Sequence, residues 1–194
     1  ILKQAIEQEK NGYVWHTTGS GKTLTSFKAS ELLAQEEDIK KVVFLVDRKD
    51  LDAQTMEEFN KFEKDSVDRT TKTGVLVKQL NDPSQKRIIT TIQKMANAVK
   101  TERYQDILKK YENEKIIFVI DECHRSIYNV WRQLLDYFDA FIIGLTATPT
   151  AQTLGFFNGN LVQDYSHEKA VVDGVNVGYD VNSSAYSALA TPGL

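Results

Sequence analysis

Short apolar segments alternate with stretches of helical periodicity along most of this 194-residue chain. The apolar segments are Tyr13–Trp15, Val42–Val46, Ile88–Thr91, Ile116–Ile120 and Phe141–Leu145. Because they are short and rich in β-branched or aromatic residues, they predict strands, most of them buried on both faces. Apolar residues at helical spacing predict helices at Leu24–Leu33, Leu51–Phe62, Ile92–Val99, Ile107–Tyr111 and Val130–Phe138. The alternation predicts an α/β fold, a parallel sheet with helices on both faces, in which ligands bind beyond the carboxyl ends of the strands.

The segments without an apolar pattern set the expected limits of the domain. Polar residues predict a surface loop at Glu63–Thr73, and Pro83 predicts a turn at Asn81–Gln85. Small residues dominate from Ser184 onward, which is typical of a linker or a frayed tail. We therefore expect a lead-in at residues 1–11, one folded domain at 12–180 and a tail at 181–194.

Composition narrows the class of protein. Hydrophobic residues make up 41% and charged residues 26% of the chain, so it can bury a core. The formal net charge is −3, so any contact with DNA must come from a local patch. Cys123 is the single cysteine, which excludes an internal disulfide and fits a reducing cytoplasm. No apolar run approaches the ~20 residues that cross a bilayer, and no signal peptide is visible. We expect a cytoplasmic protein without membrane contact and, since the chain begins with Ile1, a piece of a longer one.

A glycine-rich segment, HTTGSGKT at His16–Thr23, follows the first predicted strand. Glycine permits a tight turn in which backbone N–H groups approach phosphate oxygens, and the helix that begins near Lys22 points its positive end at the same phosphates. Lys22 is expected to reach the β- and γ-phosphates, and the Thr23 hydroxyl to ligate magnesium. His16 stands where the P-loop pattern has glycine. The segment predicts a site for a nucleoside triphosphate with Mg²⁺, bound by Thr18, Gly19, Ser20, Gly21, Lys22 and Thr23.

A second candidate motif, Asp121-Glu122-Cys123-His124, follows the strand predicted at Ile116–Ile120. Asp121 is expected to hold magnesium, and Glu122 to polarise the attacking water as general base. Adjacent acids also occur at helix starts, where negative charge is favoured. Cys123 is expected to be a small packing residue. Because no second His or Cys lies at ligand spacing, we expect His124 to relay between the nucleotide and the next motif instead of binding a metal.

Together with Thr146-Ala147-Thr148-Pro149, these motifs resemble the first motor domain of superfamily-two helicases and translocases. Within that group, the linking sequence resembles the restriction (R) subunit of type I restriction–modification enzymes. The closer match runs through Gly12–Ala29, Phe44–Thr55, Ile88–Met95, Val119–Ser126 and Gly144–Val177. The resemblance implies a RecA-like sheet and a motor that moves along duplex DNA by hydrolysing ATP with Mg²⁺. It also implies that the complete R subunit cleaves DNA through a nuclease domain, in complex with methylation and specificity subunits.

The resemblance also assigns roles residue by residue. Lys22, Asp121 and Glu122 match the catalytic residues. Thr146 and Thr148 match the motif that couples hydrolysis to movement, with His124 leading to it. Two segments match the parts of the family that face DNA. Their candidate DNA-binding residues are Arg48, Lys49 and Gln54, next to Asp47, and Thr90, Thr91 and Gln93. Arg48 and Lys49 could equally form a solvated turn, and Thr90 and Thr91 could reflect strand-end β propensity.

Two alternatives remain open at the level of sequence. The first is another superfamily-two enzyme such as an RNA helicase, although Cys123, His124 and Thr146 depart from the usual RNA-helicase motifs. The second is a nucleotide-gated DNA-binding or scaffold module without catalysis. For the motor domain that the resemblance implies, we expect this chain alone to bind ATP weakly and barely hydrolyse it, because a second motor domain normally supplies the arginine that stabilises the transferred phosphoryl group.

Overall fold

The computed structural model describes residues 10–47, 73–111, 114–125, 137–138 and 140–177, without the side chains of Thr23, Leu24 and Arg125. Its helices and strands are β1 (Gly12–His16), α1 (Lys22–Leu33), β2 (Lys41–Val46), α2 (Thr73–Asn81), β3 (Arg87–Thr91), α3 (Ile92–Lys100), α4 (Glu102–Lys109), β4 (Ile116–Ile120), a 3₁₀ turn (Cys123–Arg125), β5 (Ala140–Thr146), α5 (Ala151–Phe156), β6 (Leu161–Tyr165) and α6 (His167–Val172). The helix predicted at Leu51–Phe62, and the one at Val130–Phe138 up to residue 136, fall outside the described residues.

The strands form one parallel sheet in the order β3-β2-β4-β5-β1-β6. The predicted α/β fold with a parallel sheet is confirmed. Because β4, β5 and β1 are consecutive in the sheet, the loops after these three strands meet at its carboxyl edge. The order therefore brings the glycine-rich loop, the acidic pair and the Thr146 segment to one place.

Two apolar cores cover the two faces of the sheet. β2 and β4 consist almost wholly of β-branched or other apolar residues, and every position of both strands is buried, as expected for strands covered on both sides. On one face α1 contributes Phe27 and Leu33. On the other, α2, α3 and α4 contribute Leu80, Met95 and Leu108. The helices thus fix the sheet from both sides, and none of those in the described residues is long and apolar enough to span a bilayer.

Glycine at position 144 permits a close approach between β5 and two neighbouring side chains. A Cβ atom at Gly144 in β5 would lie 2.6 Å from Cζ of Phe157 and 2.7 Å from Sγ of Cys123. Both neighbours are fully buried. Cys123 is therefore a packing residue, as predicted, and its close fit against β5 holds the turn that carries Asp121 and Glu122.

The sequence pattern missed four elements. β6 is an edge strand whose five residues are exposed or half-buried, so it lacks the apolar run that marked the other strands. α2 begins at Thr73, the last residue of the predicted loop, and buries only one narrow stripe. α5 and α6 are six residues long each, too short for a periodic signal.

Candidate active site

The loop between β1 and α1 has the conformation that its glycines allow. Gly19 and Gly21 both have φ of +77°, in the left-handed region that other residues rarely adopt. The Ser20 hydroxyl donates to the carbonyl of Thr17 at 2.6 Å, closing the loop on itself. A Cβ atom at Gly21 would meet nothing within 4 Å, so the space beside it is open. The loop can therefore admit a ligand at the amino end of α1, where helix polarity favours an anion.

His16 is compatible with the position where the P-loop pattern has glycine, because that position still belongs to β1. Its side chain is 4% exposed and packs against the Tyr165 ring, with 5.4 Å between ring centroids. Burial lowers the pKa of His16, and the nearby Lys22 ammonium lowers it further, whereas Asp164 opposes them. A neutral imidazole thus fills the space beneath the loop without placing a second positive charge beside Lys22.

Lys22 joins the glycine-rich loop to the acidic pair. Its ammonium donates to Oε1 of Glu122 and lies 3.3 Å from Oδ1 of Asp121. The three side chains are largely buried, with exposed fractions of 10% for Lys22, 16% for Asp121 and 23% for Glu122. The structure thus brings together the three residues that the sequence identified as catalytic candidates.

The backbone presents the two acids in different ways. Asp121 continues from β4, and its N–H donates to the carbonyl of Leu45 in β2. Glu122 has φ of +48°, an unusual value for a residue with a side chain, and its N–H donates to Oδ1 of Asp121 at 3.0 Å. Burial raises the pKa of the Asp121 carboxyl; Lys22 opposes this shift and Glu122 adds to it. Backbone strain at an active centre is maintained only when its surroundings enforce it, so the Glu122 turn is a candidate functional feature.

The 3₁₀ turn that follows the acids connects them to β5. Nδ1 of His124 lies 2.8 Å from Oγ1 of Thr146 and 3.3 Å from Oε2 of Glu122. Oγ1 of Thr146 also accepts the N–H of Thr148 at 3.0 Å. Thr146 is fully buried, while Thr148 is exposed. A continuous set of polar contacts therefore runs from Glu122 through His124 to the loop after β5.

The predicted DNA-facing residues are only partly described. Arg48, Lys49 and Gln54 lie outside the described residues, as does the Thr23 side chain. Thr90 and Thr91 are 5% and 6% exposed, and the Thr91 side chain caps α3 by accepting the N–H of Lys94 at 3.2 Å. Gln93 is exposed, and its amide donates to Oδ1 of Asp47 at 3.3 Å. Strand-end and capping roles account for the two threonines, while contact of this segment with DNA stays a prediction.

Two residues that contact the loop between β1 and α1 were not predicted from the sequence. The carbonyl of Tyr165 in β6 accepts the N–H of Thr17 at 3.0 Å. The side-chain amide of Asn176 donates to the carbonyl of Thr18 at 3.3 Å. Asn176 is 158 residues from Thr18 along the chain, and the only sequence signal was that both lie in segments carrying the family resemblance.

Comparison with known proteins finds a matching family model and several relatives similar to this chain. A family model described as SWI2/SNF2 ATPase matches residues 1–187. The endonuclease subunit of type I restriction enzyme SauMSSORF170P from Staphylococcus aureus (strain MSSA476) is 48% identical over 192 residues, covering 94% of this chain and 20% of that protein. The EcoKI endonuclease subunit from Escherichia coli (strain K12) is 28% identical over 204 residues, covering 93% of this chain and 17% of that protein. The chain thus spans a fifth or less of the length of these two relatives.

Solved structures agree with the fold. The Hef helicase domain from Pyrococcus furiosus superposes with a TM-score of 0.63 at 23% identity, covering 91% of this chain and 39% of that one. The UvsW helicase from bacteriophage T4 gives a TM-score of 0.52 at 15% identity, covering 81% of this chain and 54% of that one. At these identities the likeness shows a shared helicase-type α/β fold.

Proposed function

Because the chain belongs to the SWI2/SNF2 ATPase family, we propose that it binds ATP at the loop between β1 and α1 and hydrolyses it to drive movement on duplex DNA. The observation that carries the proposal is the convergence of the Lys22 ammonium with the carboxylates of Asp121 and Glu122. These side chains come from the segments that follow two different strands, β1 and β4. A lysine and two acids at the carboxyl edge of a parallel sheet suit phosphoryl transfer from a magnesium nucleotide.

The residues fit this ligand. In the proposal, backbone N–H groups of the loop cradle the α- and β-phosphates, and Lys22 reaches the β- and γ-phosphates. Phosphate oxygens then compete with Asp121 and Glu122 for the Lys22 ammonium. Asp121 and Thr23 would hold magnesium, whose charge neutralises the phosphate oxygens when it is bound. Glu122, no longer paired with Lys22, accepts a proton from the attacking water as general base.

The contacts after β4 and β5 support a coupling role. His124 contacts both Glu122 and Thr146. A change in the partners of the Glu122 carboxylate would therefore alter the contacts of the loop after β5. The backbone N–H of Thr148, an exposed residue of that loop, donates to Oγ1 of Thr146. We propose that His124, Thr146 and Thr148 transmit the state of the nucleotide to the surface that moves on DNA.

More specifically, we propose that this chain is the motor part of the R subunit of a type I restriction enzyme. The relatives named as endonuclease subunits of type I restriction enzymes support it. On this proposal the complete protein cleaves DNA after translocation, works in the cytoplasm and assembles with methylation and specificity subunits. Side chains that bind the phosphate backbone without reading bases would contact the duplex. The candidates for this contact are Arg48, Lys49, Gln54, Thr90, Thr91 and Gln93.

The test is Lys22→Ala in the full-length protein, with Lys28→Ala as the matched control. Both lysines belong to α1, but Lys28 is 61% exposed and pairs with Glu31 on the surface of the same helix. We expect Lys22→Ala to abolish ATP-dependent DNA translocation and to weaken MgATP binding, and Lys28→Ala to leave both unchanged. If Lys22→Ala still translocates DNA at the wild-type rate, the motor assignment is wrong.

A second measurement separates the motor from its alternatives. We expect the ATPase rate of the full-length protein to rise with duplex DNA and to stay at its basal level with RNA. Stimulation by RNA alone would indicate an RNA helicase. Tight nucleotide binding without hydrolysis under any condition would indicate a nucleotide-gated module.

A further inference from the structure

The segment from β6 to the turn after α6 supports the nucleotide loop from one side. Thr17 donates its N–H to the carbonyl of Tyr165 at 3.0 Å. The carbonyl of Thr17 accepts the Ser20 hydroxyl at 2.6 Å. The carbonyl of Thr18 accepts the Asn176 side-chain amide at 3.3 Å. Three successive peptide units of the loop are therefore each held by at least one hydrogen bond, and two of these bonds come from this segment.

Fixing a carbonyl also fixes the N–H group of the same peptide unit. In a trans peptide the two groups point in opposite directions within one plane. Since Asn176 holds the carbonyl of Thr18, the N–H of Gly19 is directed away from Asn176. Gly19 has no side chain to restrict this peptide, and Oδ1 of Asn176 lies 3.6 Å from the position of a Cβ atom there. The Asn176 side chain thus lies against the most mobile type of residue in the loop and restrains it.

Asn176 is itself held firmly in place. α6 ends in a Schellman motif: Gly174, with φ of +71°, follows the last turn, and Val175 donates its N–H to the carbonyl of Ala170 at 2.8 Å. The N–H of Asn176 donates to the same carbonyl at 3.0 Å. The Tyr165 hydroxyl donates to Oδ2 of Asp173 at 2.7 Å, which ties this turn back to β6.

The same segment also packs against the residue that precedes the loop. The Tyr165 ring packs against His16, which is buried immediately before the loop. Neither ring nitrogen of His16 has a hydrogen-bond partner in the described part of the chain. His16 therefore acts here as a packing ring between β1 and β6, and the hydrogen bonds of Tyr165 and Asn176 fix the orientation of the loop.

We propose that Asn176 is a positioning residue of the nucleotide site, whose side-chain amide holds the Thr18–Gly19 peptide in the orientation that receives phosphate. This inference rests on the proposed binding of ATP at the same loop. A binding group that is already oriented costs less ordering when the ligand binds. The contribution of Asn176 therefore appears in the affinity for phosphate groups, and not in the chemical step that Lys22 and Glu122 perform.

The test compares Asn176→Ala and Asn176→Asp with Asn97→Ala in the full-length protein. Asn97 is an exposed asparagine on α3, remote in sequence from the loop. The probe is Mg-ADP, titrated by calorimetry, because it engages the loop without turnover. Loss of one neutral hydrogen bond predicts about 3- to 10-fold weaker binding for Asn176→Ala. Asn176→Asp is expected to bind more weakly still, because it has the same shape but no donor and brings a negative charge toward the phosphates.

Two further readouts separate positioning from general damage. The thermal midpoint of both Asn176 variants without nucleotide should stay that of the wild type. With ATP and saturating DNA, KM should rise while kcat stays unchanged. A lowered midpoint together with a lowered kcat, or wild-type affinity in both Asn176 variants, would overturn the proposal.

Lys22→Ala distinguishes failure of this inference from failure of the proposed function. If the wild-type protein binds Mg-ADP and MgATP, and Lys22→Ala weakens MgATP binding, the nucleotide site stands. Wild-type affinity of both Asn176 variants would then reject only the positioning role. If the wild-type protein binds neither nucleotide, the proposed function fails first.

Discussion

Replacing Gly144 by alanine should destabilise the protein, because the added methyl group has no space. The Cβ atom would lie 2.6 Å and 2.8 Å from two ring carbons of Phe157 and 2.7 Å from Sγ of Cys123. Cys123 is 0% exposed and Phe157 is 1% exposed, so neither side chain can swing into solvent. Phe157 is also confined by the ring of Tyr13, at 5.8 Å between centroids.

The expected cost follows from this confinement. Overpacking a core by a methyl group costs about 1–3 kcal/mol, and two immobile neighbours favour the upper half of that range. With a urea m-value of about 1–3 kcal/mol per molar, the unfolding midpoint of Gly144→Ala should fall by on the order of 1 M. Adding Cys123→Ala removes one of the clashing atoms, so the double variant should lose less stability than the sum of the two single variants.

Gly155→Ala is the matched control for this measurement. Gly155 lies inside α5, and a Cβ atom there would meet nothing within 4 Å. Alanine at this position should be neutral or stabilise the protein by about 0.5–1 kcal/mol, because glycine is a poor helix former. If Gly144→Ala unfolds at the same urea concentration as the wild type, the close packing of β5 against Cys123 is wrong.

Three further changes have equally definite outcomes. Burial raises the pKa of the Cys123 thiol to about 12, so iodoacetamide at pH 8 should leave the folded protein unmodified and alkylate it in urea; equal rates in both states would contradict the buried position. Glu122→Gln should slow ATP hydrolysis about 10²- to 10⁴-fold while MgATP still binds, as measured by single-turnover kinetics and calorimetry; unchanged hydrolysis would exclude Glu122 as the general base. The ammonium of Lys41 donates to the carbonyls of Gln79 and Gln85, so Lys41→Met should cost about 1–3 kcal/mol of stability at pH 7. Burial lowers the pKa of Lys41 from 10.5 to about 8, so the unfolded chain binds more protons between these values, and the wild type should gain stability relative to Lys41→Met as pH rises through that window; a flat difference in urea-unfolding free energy would refute this.

The central strands could be predicted closely from the sequence because burial on both faces leaves a continuous apolar run. β4 has the predicted bounds, Ile116–Ile120, and β2 begins one residue earlier than predicted, at the buried Lys41. Lys41 illustrates the limit of the pattern. A charged residue was not expected within a buried strand, yet the carbonyl groups of Gln79 in the last turn of α2 and of Gln85 beyond it accept hydrogen bonds from its ammonium. Such compensation depends on residues distant in the chain and has no local signature.

The residues of the candidate site were likewise predictable from the sequence only in part. The types and spacing of Lys22, Asp121 and Glu122 identified them as one centre, because the chemistry of phosphoryl transfer constrains which residues can serve it. Asn176 has no such constraint, since many side chains can donate to a carbonyl. Its role depends on where α6 ends, and that position is determined by the Schellman motif at Gly174 and not by a motif of catalytic residues.

The contacts of His124 have a consequence for how the centre can signal. A neutral imidazole carries one proton, so Nδ1 cannot donate to the Glu122 carboxylate and accept the proton of Thr146 at the same time. A protonated Nδ1 can donate to the Glu122 carboxylate or to Oγ1 of Thr146, whereas an unprotonated Nδ1 can only accept the proton of Thr146. Nitrogen-15 chemical shifts of the His124 ring, recorded with and without MgATP, should report a change of tautomer or of ring protonation. A change of tautomer at His124 would alter its contacts with both Glu122 and Thr146 without a large movement of the backbone.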